Sequence, residues 1–511
     1  MRPDLTGCPG TAPPTGTLYA AATIRGIEAD WLAHLPHGTL MERAARACAA
    51  VLERLAWQRP RATPLVALVG PGNNGGDALL SALMLRARGF SCQAWAGAAS
   101  PPSGGEAHEV RQRWLASGAG LLDTEELLAY AHAGAIMIDG LFGIGLRRGL
   151  EGEYAALVGS LNDAGCTALG VDVPSGIDAD TGAIVGGAMG VALRCVATVT
   201  MIGDKPGLHT GAALDYAGEV LVADLGIGEF PPPDGTLVGR NWVRERLRAR
   251  PVTSHKGSFG TVCVIGGASG MSGAALLAGR GAMAAGAGKV YVAGPDGPAF
   301  DPGQPQLMTR DTEDALNDVG AVAIGCGLGA SHAAAVLLAR ALAAPSALVL
   351  DADALNIVAS AVAPTASLAR IAARAPDTTI LTPHPLEAGR LLGMSAAEIG
   401  ADRIAAARAL ARRSGAVVVL KGAGSVIAEP GGTWAINDSG SPALASAGSG
   451  DVLSGAAAGL LAQGHGALEA ALLAVWLHGR AGDSWSHSHR RHSGMSAALL
   501  PALITEAINE C

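Results

Sequence analysis

The sequence predicts two α/β domains, each built on a mainly parallel sheet covered by helices on both faces. Three observations carry this. Short, continuous runs of Val, Ile, Leu and Ala alternate with longer Ala/Leu-rich stretches along the chain. The runs end in Gly, Asp, Asn or His, the residues of loops beyond strand C-termini. The stretch Phe230 to Gly235, FPPPDG, holds three consecutive prolines, which continue neither a helix nor a central strand. The expected division is therefore 1–229, a linker at 230–240, and 241–511.

In the first part, PLVALVG reads as a strand, then a glycine turn, then the helical ALLSALMLRARG. Further strands are AIMIDG, TALGVDVPSG and ATVTMIG. In the second part, TVCVIGG precedes the helical ALLAGRGAMAAGAG, and KVYVAG, VGAVAIGCG, SALVLDADAL, TTILTPH and GAVVVLKG follow as strands.

Composition excludes several classes. The chain has 511 residues, 49% of them apolar and 16% charged, which argues against disorder. Mean hydropathy is +0.32, yet no run approaches the roughly 18 apolar residues of a membrane span. With 36 basic and 44 acidic residues the net charge is −8, a poor match to nucleic acid. The N-terminal stretch lacks the basic and apolar regions of a secretory signal. Eight cysteines without a CxxC argue against a zinc ribbon or a disulfide framework. A reducing cytoplasm is the expected compartment, and a homo-oligomer the expected assembly.

Gly70 to Asp77, GPGNNGGD, lies between a strand and a helix. Its glycines let amides approach a phosphate, and the helix start adds positive potential. The acidic residue that a dinucleotide fingerprint carries about 20 positions on is missing. A plain tight turn explains the glycines equally well. Asn73, Asn74 and Asp77 add fixed donors and acceptors. Asp139, Asp172 and Ser175 close two further strands. Together with Asn74 they can hold a hard cation, act as acid and base, or cap turns. Lys205, in MIGDKPGL, reads as a surface lysine.

From LYAAATIRGIE and LMERAARACA through GPGNNGGD, DGLFGIGL, VDVPSGID and DKPGL, the chain resembles the NAD(P)HX epimerase domain of the NAD(P)H-hydrate repair family. The resemblance covers most of residues 18–225 and implies a Rossmann-like doubly wound sheet. It implies that Asn73, Asn74, Gly75, Gly76 and Asp77 bind the hydrated nucleotide, as does the loop Gly143, Ile144, Gly145, Leu146, Arg147, Arg148 and Gly149. It places a potassium ion on Asn74, Asp139 and Ser175, and puts Asp172 against the substrate. Ala78 stands where the family commonly has Gly, and Ile144 where it often has Thr.

In the second part, GCGLG (Gly325 to Gly329), VLDADALN (with Asp351, Asp353 and Asn356), LTPHPLEAGRLLG (with His384 and Glu387), KGAGSV from Lys421, and AGSGDVLSG (Ala447 to Gly455) stand at strand ends. Gly448 and Gly450 can align amides as an anion hole at a helix start. Asp451 beside it can take a proton from a hydroxyl undergoing phosphorylation, or simply cap its helix. No GxxxxGK[ST] occurs, which argues against a Walker-type NTPase. His487, His489 and His492 read as a solvated loop, not a metal tract.

Pairing of TPHPLE with GSGDVLSG is similar to the ribokinase-like ADP/ATP-dependent NAD(P)HX dehydratases, over about residues 250–505. The resemblance implies substrate contacts at Ala275, Gly327, His384 and Asp451. It places the adenine nucleotide, ADP or ATP with Mg2+, against Lys421, Gly422, Ala423, Gly424, Ser425 and Gly450. ALASAGSGD replaces the commoner MATGGSGD, with Leu444 for Met. The expected catalytic groups are Asp451, Asp172 and Asp139. The expected activity is repair of hydrated NADH and NADPH (NADHX and NADPHX), by epimerisation in the first part and nucleotide-driven dehydration in the second. The alternative is a ribokinase-like small-molecule kinase fused to a nucleotide-binding regulatory module.

Overall fold

A computed structural model describes residues 16–59, 63–98, 104–297, 299–360, 366–489 and 492–511. The chain divides into two compact units, Met1–Thr236 and Leu237–Cys511. The division falls inside the strand Gly235–Val238.

The first unit carries a six-stranded sheet in the order Cys92–Ala96, Leu65–Val69, Ile136–Gly140, Thr167–Val171, Ala197–Met201 and Glu219–Ala223. Every neighbouring pair is parallel. The inner strands are mostly apolar and buried along nearly their whole length because helices cover both faces. Strand order reverses at the gap between Leu65–Val69 and Ile136–Gly140, which opens a crevice at their C-terminal ends. The chain leaves these two strands backbone against backbone. A Cβ on Gly70 would lie 1.8 Å from the Leu141 carbonyl oxygen. Ala78 fits because the residue opposite is Gly140, whose own Cβ would come within 2.4 Å of it.

In the second unit the sheet runs Trp434–Asn437, Val426–Ala428, Val417–Leu420, Thr379–Leu381, Ala347–Leu350, Ala321–Ile324, Thr261–Ile265, Lys289–Ala293 and Met308–Thr309. Pairing is parallel from Val417–Leu420 through to Met308–Thr309, and antiparallel at the other edge. The order reverses between Thr261–Ile265 and Ala321–Ile324. Helices Ser272–Ala284 and Ser449–Ala462 cover this region, and they touch backbone to backbone. A Cβ on Gly455 would sit 1.8 Å from the Ala278 carbonyl oxygen, and one on Gly281 would sit 2.2 Å from that of Val452. The small residues of AGSGDVLSGAAAG are thus what lets the glycine turn before Asp451 reach the strand ends. Both units are α/β, as the alternation of strands and helices predicts.

Candidate active sites

In the first unit a cavity of about 370 Å³ opens at the strand-order reversal. Asn73, Asn74 and Asp77 line it from the helix Asn73–Ala87. Gly143, Ile144, Gly145 and Leu146 line it from the loop after Ile136–Gly140, and Asp172 from the end of Thr167–Val171. Gly75 and Gly76 lie behind the wall, where a side chain would strike Gly70 or Met41. Arg147 and Arg148 are exposed, and Gly149 packs near Gly186.

Asp139 is fully buried. It accepts from the Ser175 hydroxyl at 2.6 Å, the Ser175 amide at 2.8 Å and the Leu141 amide at 3.3 Å. Burial pushes its carboxyl up to about 6, against the pull of these hydrogen bonds. No basic side chain pairs with Asp139 among the described residues. The Asn74 side-chain nitrogen is buried without a partner. A buried carboxylate lacking a counter-charge and a hydroxyl bonded to it suit a hard monovalent cation; the Asn74 nitrogen is a donor, so only its Oδ1, which lies near Gly143 and Asp172, can join them.

Asp172 is held in the left-handed region, φ 68°, with its amide donating to Val199 at 2.7 Å. Its Oδ1 pairs with Lys205 at 2.7 Å. Its Oδ2 faces Gly143 and Asn74, since a Cβ on Gly143 would lie 3.2 Å from Asp172 Oδ2 and 3.1 Å from Asn74 Oδ1. Lys205 corrects the sequence reading: it is fully buried, not at the surface. Sequence reasoning also passed over Glu28 and Glu106, which line the cavity from two other helices. Burial, then Asp172, raises Glu28, and the same two causes raise Asp77 much further. Glu28 closes the TIRGIE segment already noted, and an acid at that place was the available signal.

The second unit gathers its groups at four strand ends. Asp351 accepts from Lys421 Nζ at 2.7 Å and from the Ser454 hydroxyl at 2.6 Å. Asp351, Asp451 and Cys326 each place a ligand atom within 4.8 Å of the others. Burial, then the Asp351 carboxylate, pushes Asp451 up to about 6. Burial alone would lower Lys421, but Asp351 and Glu387 outweigh it and hold it above the usual lysine value. The helix Ser449–Ala462 begins at Gly448, φ 89°, without a side-chain cap. Asp451 is therefore not a helix cap. The Gly450 and Asp451 amides have no acceptor among the described residues, and they form the positive end of the helix. A Cβ on Gly450 would lie 3.4 Å from Lys421 Nζ, so the lysine stands over the same turn.

His384 caps the helix Pro385–Leu392, its Nδ1 accepting from the Leu386 and Glu387 amides at 3.1 and 3.3 Å. Burial and then Lys421 lower its pKa. Gly327, φ 60°, packs on Met271, and Ala275 is fully buried beneath Gly267, exposing no atom. The Lys421 to Ser425 turn needs left-handed backbone at Gly422, φ 144°, and Gly424, φ 59°. Beneath it Arg403 donates to the Leu420 and Lys421 carbonyls at 3.2 and 3.3 Å, and a side chain on Gly422 would strike its guanidinium. Ser425 Oγ closes the turn onto the Gly422 carbonyl at 3.1 Å. Ser454 and Cys326 were missed in the sequence. Ser454 recurs three positions after Asp451, a helical spacing that points both at one neighbour. His489 stacks on Trp485, ring centroids 3.6 Å apart, at the end of a helix.

Two sheets, each with acidic groups and glycine turns gathered at its order reversal, define an α/β enzyme with two separate centres. Residues 262–506 match the family model described as NAD(P)H-hydrate dehydratase, and residues 37–207 the YjeF-related protein N-terminus. The bifunctional NAD(P)H-hydrate repair enzyme Nnr of Coxiella burnetii is 34% identical over 90% of this chain and 94% of its own. That of Mycobacterium leprae is 37% identical over 91% and 93%. The ADP-dependent (S)-NAD(P)H-hydrate dehydratase of Neisseria meningitidis is 45% identical over 51% of this chain and 88% of its own. A crystal structure of the ADP/ATP-dependent NAD(P)H-hydrate dehydratase of Bacillus subtilis, grown with ATP and Mg2+, is 31% identical, with a TM-score of 0.48, over 54% of this chain and 98% of its own. The chain belongs to the family of bifunctional NAD(P)H-hydrate repair enzymes.

Proposed function

We propose that the chain restores hydrated NADH and NADPH, with epimerisation at the first site and nucleotide-driven dehydration at the second. Hydration at C6 of the nicotinamide ring leaves a hydroxyl beside the ring nitrogen, in two epimers. Hydroxide leaves poorly. Transfer of the terminal phosphoryl group of ADP or ATP to that oxygen releases AMP or ADP and makes a phosphate ester. The ring-nitrogen lone pair then expels phosphate, and loss of a C5 proton restores the dihydronicotinamide.

The observation that carries this reading is Asp451. It is a poised carboxyl, not a cap, beside two unengaged amides at a helix start and within reach of the Lys421 ammonium. Asp451 accepts the hydroxyl proton, the Gly450 and Asp451 amides stabilise phosphoryl charge, and Lys421 with the turn through Gly422, Ala423, Gly424 and Ser425 holds the nucleotide. Mg2+ entering with the phosphates would neutralise their charge; Asp351 and Asp451 offer the hard oxygens for it. His384 and Gly327 border the substrate.

In the first unit, Asp172 takes the C6 hydroxyl proton and passes it to N1 as the C6–N1 bond breaks to an open-chain aldehyde; reclosure of N1 on the opposite carbonyl face reverses both transfers. Asn73 to Asp77 and the loop Gly143 to Gly149 bind the nucleotide. Asn74, Asp139 and Ser175 would hold potassium, which supplies fixed positive charge near the substrate. Among the described residues seven cysteines carry free thiols, in keeping with a reducing cytoplasm. A kinase with a regulatory module is set aside because relatives spanning both units are repair enzymes. Incubation with mixed hydrate epimers and ADP tests the reading. Full recovery of dihydronicotinamide absorbance is expected. Accumulation of a stable phosphate ester would refute it.

A further inference from the structure

The fold buries Lys205 completely and gives it no path to a ligand. Its Nζ meets Asp172 Oδ1 and Thr200 Oγ1 at 2.7 Å, the Met201 carbonyl at 3.0 Å and that of Gly203 at 3.3 Å. These four acceptors occupy all three of its protons. Asp172 Oδ1 is further fixed by the Met201 amide at 3.2 Å, whereas Oδ2 looks toward Gly143.

We propose that Lys205 is a positioning residue for epimerisation: it clamps one oxygen of Asp172 so that the other faces the C6 hydroxyl. The inference rests on the epimerase reading of the first site. A carboxylate at φ 68° on a turn has a free χ1 unless something fixes it, and a charged donor at 2.7 Å holds one oxygen more strongly than the neutral Met201 amide at 3.2 Å. Other groups around Asp172 cannot substitute. Glu28, Asp77 and Glu106 are acids from three separate helices, and Cys48 is a buried thiol. Arg25 is spent on the Ile144 carbonyl at 2.8 Å. Lys205 therefore touches no reacting atom and acts through Asp172.

A double-mutant cycle on the full chain tests this. Parental protein is first shown to equilibrate the two hydrates; if it does not, the functional reading falls, independently of Lys205. Lys205→Met should lower the epimerisation kcat by about 10²-fold with KM changed less than about threefold. The pair Asp172→Asn/Lys205→Met should be no slower than Asp172→Asn alone, because the lysine has no other route to the reaction. Circular dichroism reports folding of each variant. If Lys205→Met does not fold, Thr200→Val, which removes one lysine acceptor, should slow kcat by about threefold in the parent and not at all beside Asp172→Asn. A parental rate in Lys205→Met, a rise in KM alone, or losses that multiply in either cycle would overturn the proposal.

Discussion

Replacing Asp451 by Asn separates catalysis from shape. The side chain keeps its size but cannot take a proton, and a positioned base is worth about 10²–10⁴-fold. Dehydration of the reactive epimer should fall by at least about 10²-fold, with ADP affinity by calorimetry nearly unchanged. The structure adds a second, opposite effect. Burial and Asp351 lift Asp451 by about two units, to about 6, so at neutral pH its carboxylate costs the folded state about 3 kcal/mol. The folded state binds this proton more tightly than the unfolded chain. Stability should therefore rise as pH falls from 7 through 6, and Asn should stabilise the second unit by up to about 3 kcal/mol. The parental rate should fall tenfold per unit below about pH 6, as the base is protonated. Kinetics by absorbance and melting by circular dichroism, on one preparation, read both effects. A near-parental rate, or a lower melting temperature in Asp451→Asn, would remove the residue from this role.

Other consequences are equally concrete. Asp139→Asn should abolish epimer exchange while leaving dehydration of the reactive epimer untouched, measured by adding each pure epimer. Exchange of potassium for tetramethylammonium should weaken hydrate binding to the first unit, and the difference should vanish in Ser175→Ala. Ser454→Ala removes the 2.6 Å donor to buried Asp351 and should destabilise the second unit by about 1–3 kcal/mol in denaturant titration. Gly70→Ala forces a carbon onto the Leu141 carbonyl and should cost about 3 kcal/mol or more, with epimerisation lost and dehydration kept.

Strands that are apolar throughout and end in Gly or Asp were legible in the sequence. PLVALVG, AIMIDG and GAVVVLKG became Leu65–Val69, Ile136–Gly140 and Val417–Leu420. Edge strands were not. Cys92–Ala96 mixes Gln and Trp into a run of five, and Glu219–Ala223 opens on an exposed acid, because an edge needs only one apolar face. Asp451 and Asp172 were legible because glycine and proline turns mark the loops that carry them. Lys205 was not, since nothing local distinguishes a surface lysine from one whose partner arrives 33 positions earlier in the chain. The role of His384 as a cap was equally hidden, because histidine is an uncommon capping residue.

The seam between helices Ser272–Ala284 and Ser449–Ala462 has a dynamic consequence. Backbones that touch at Gly281 and Gly455 cannot slide or tilt without collision, and no flexible side chain lies between them to absorb a shift. The amides of Ser449–Ala462 beyond its first turn should therefore exchange with solvent deuterium only when the whole unit unfolds, among the slowest in the molecule. The glycine turn before Asp451 is then a fixed anvil. A ligand that arrives at the Gly450 and Asp451 amides meets a helix start that stays in place.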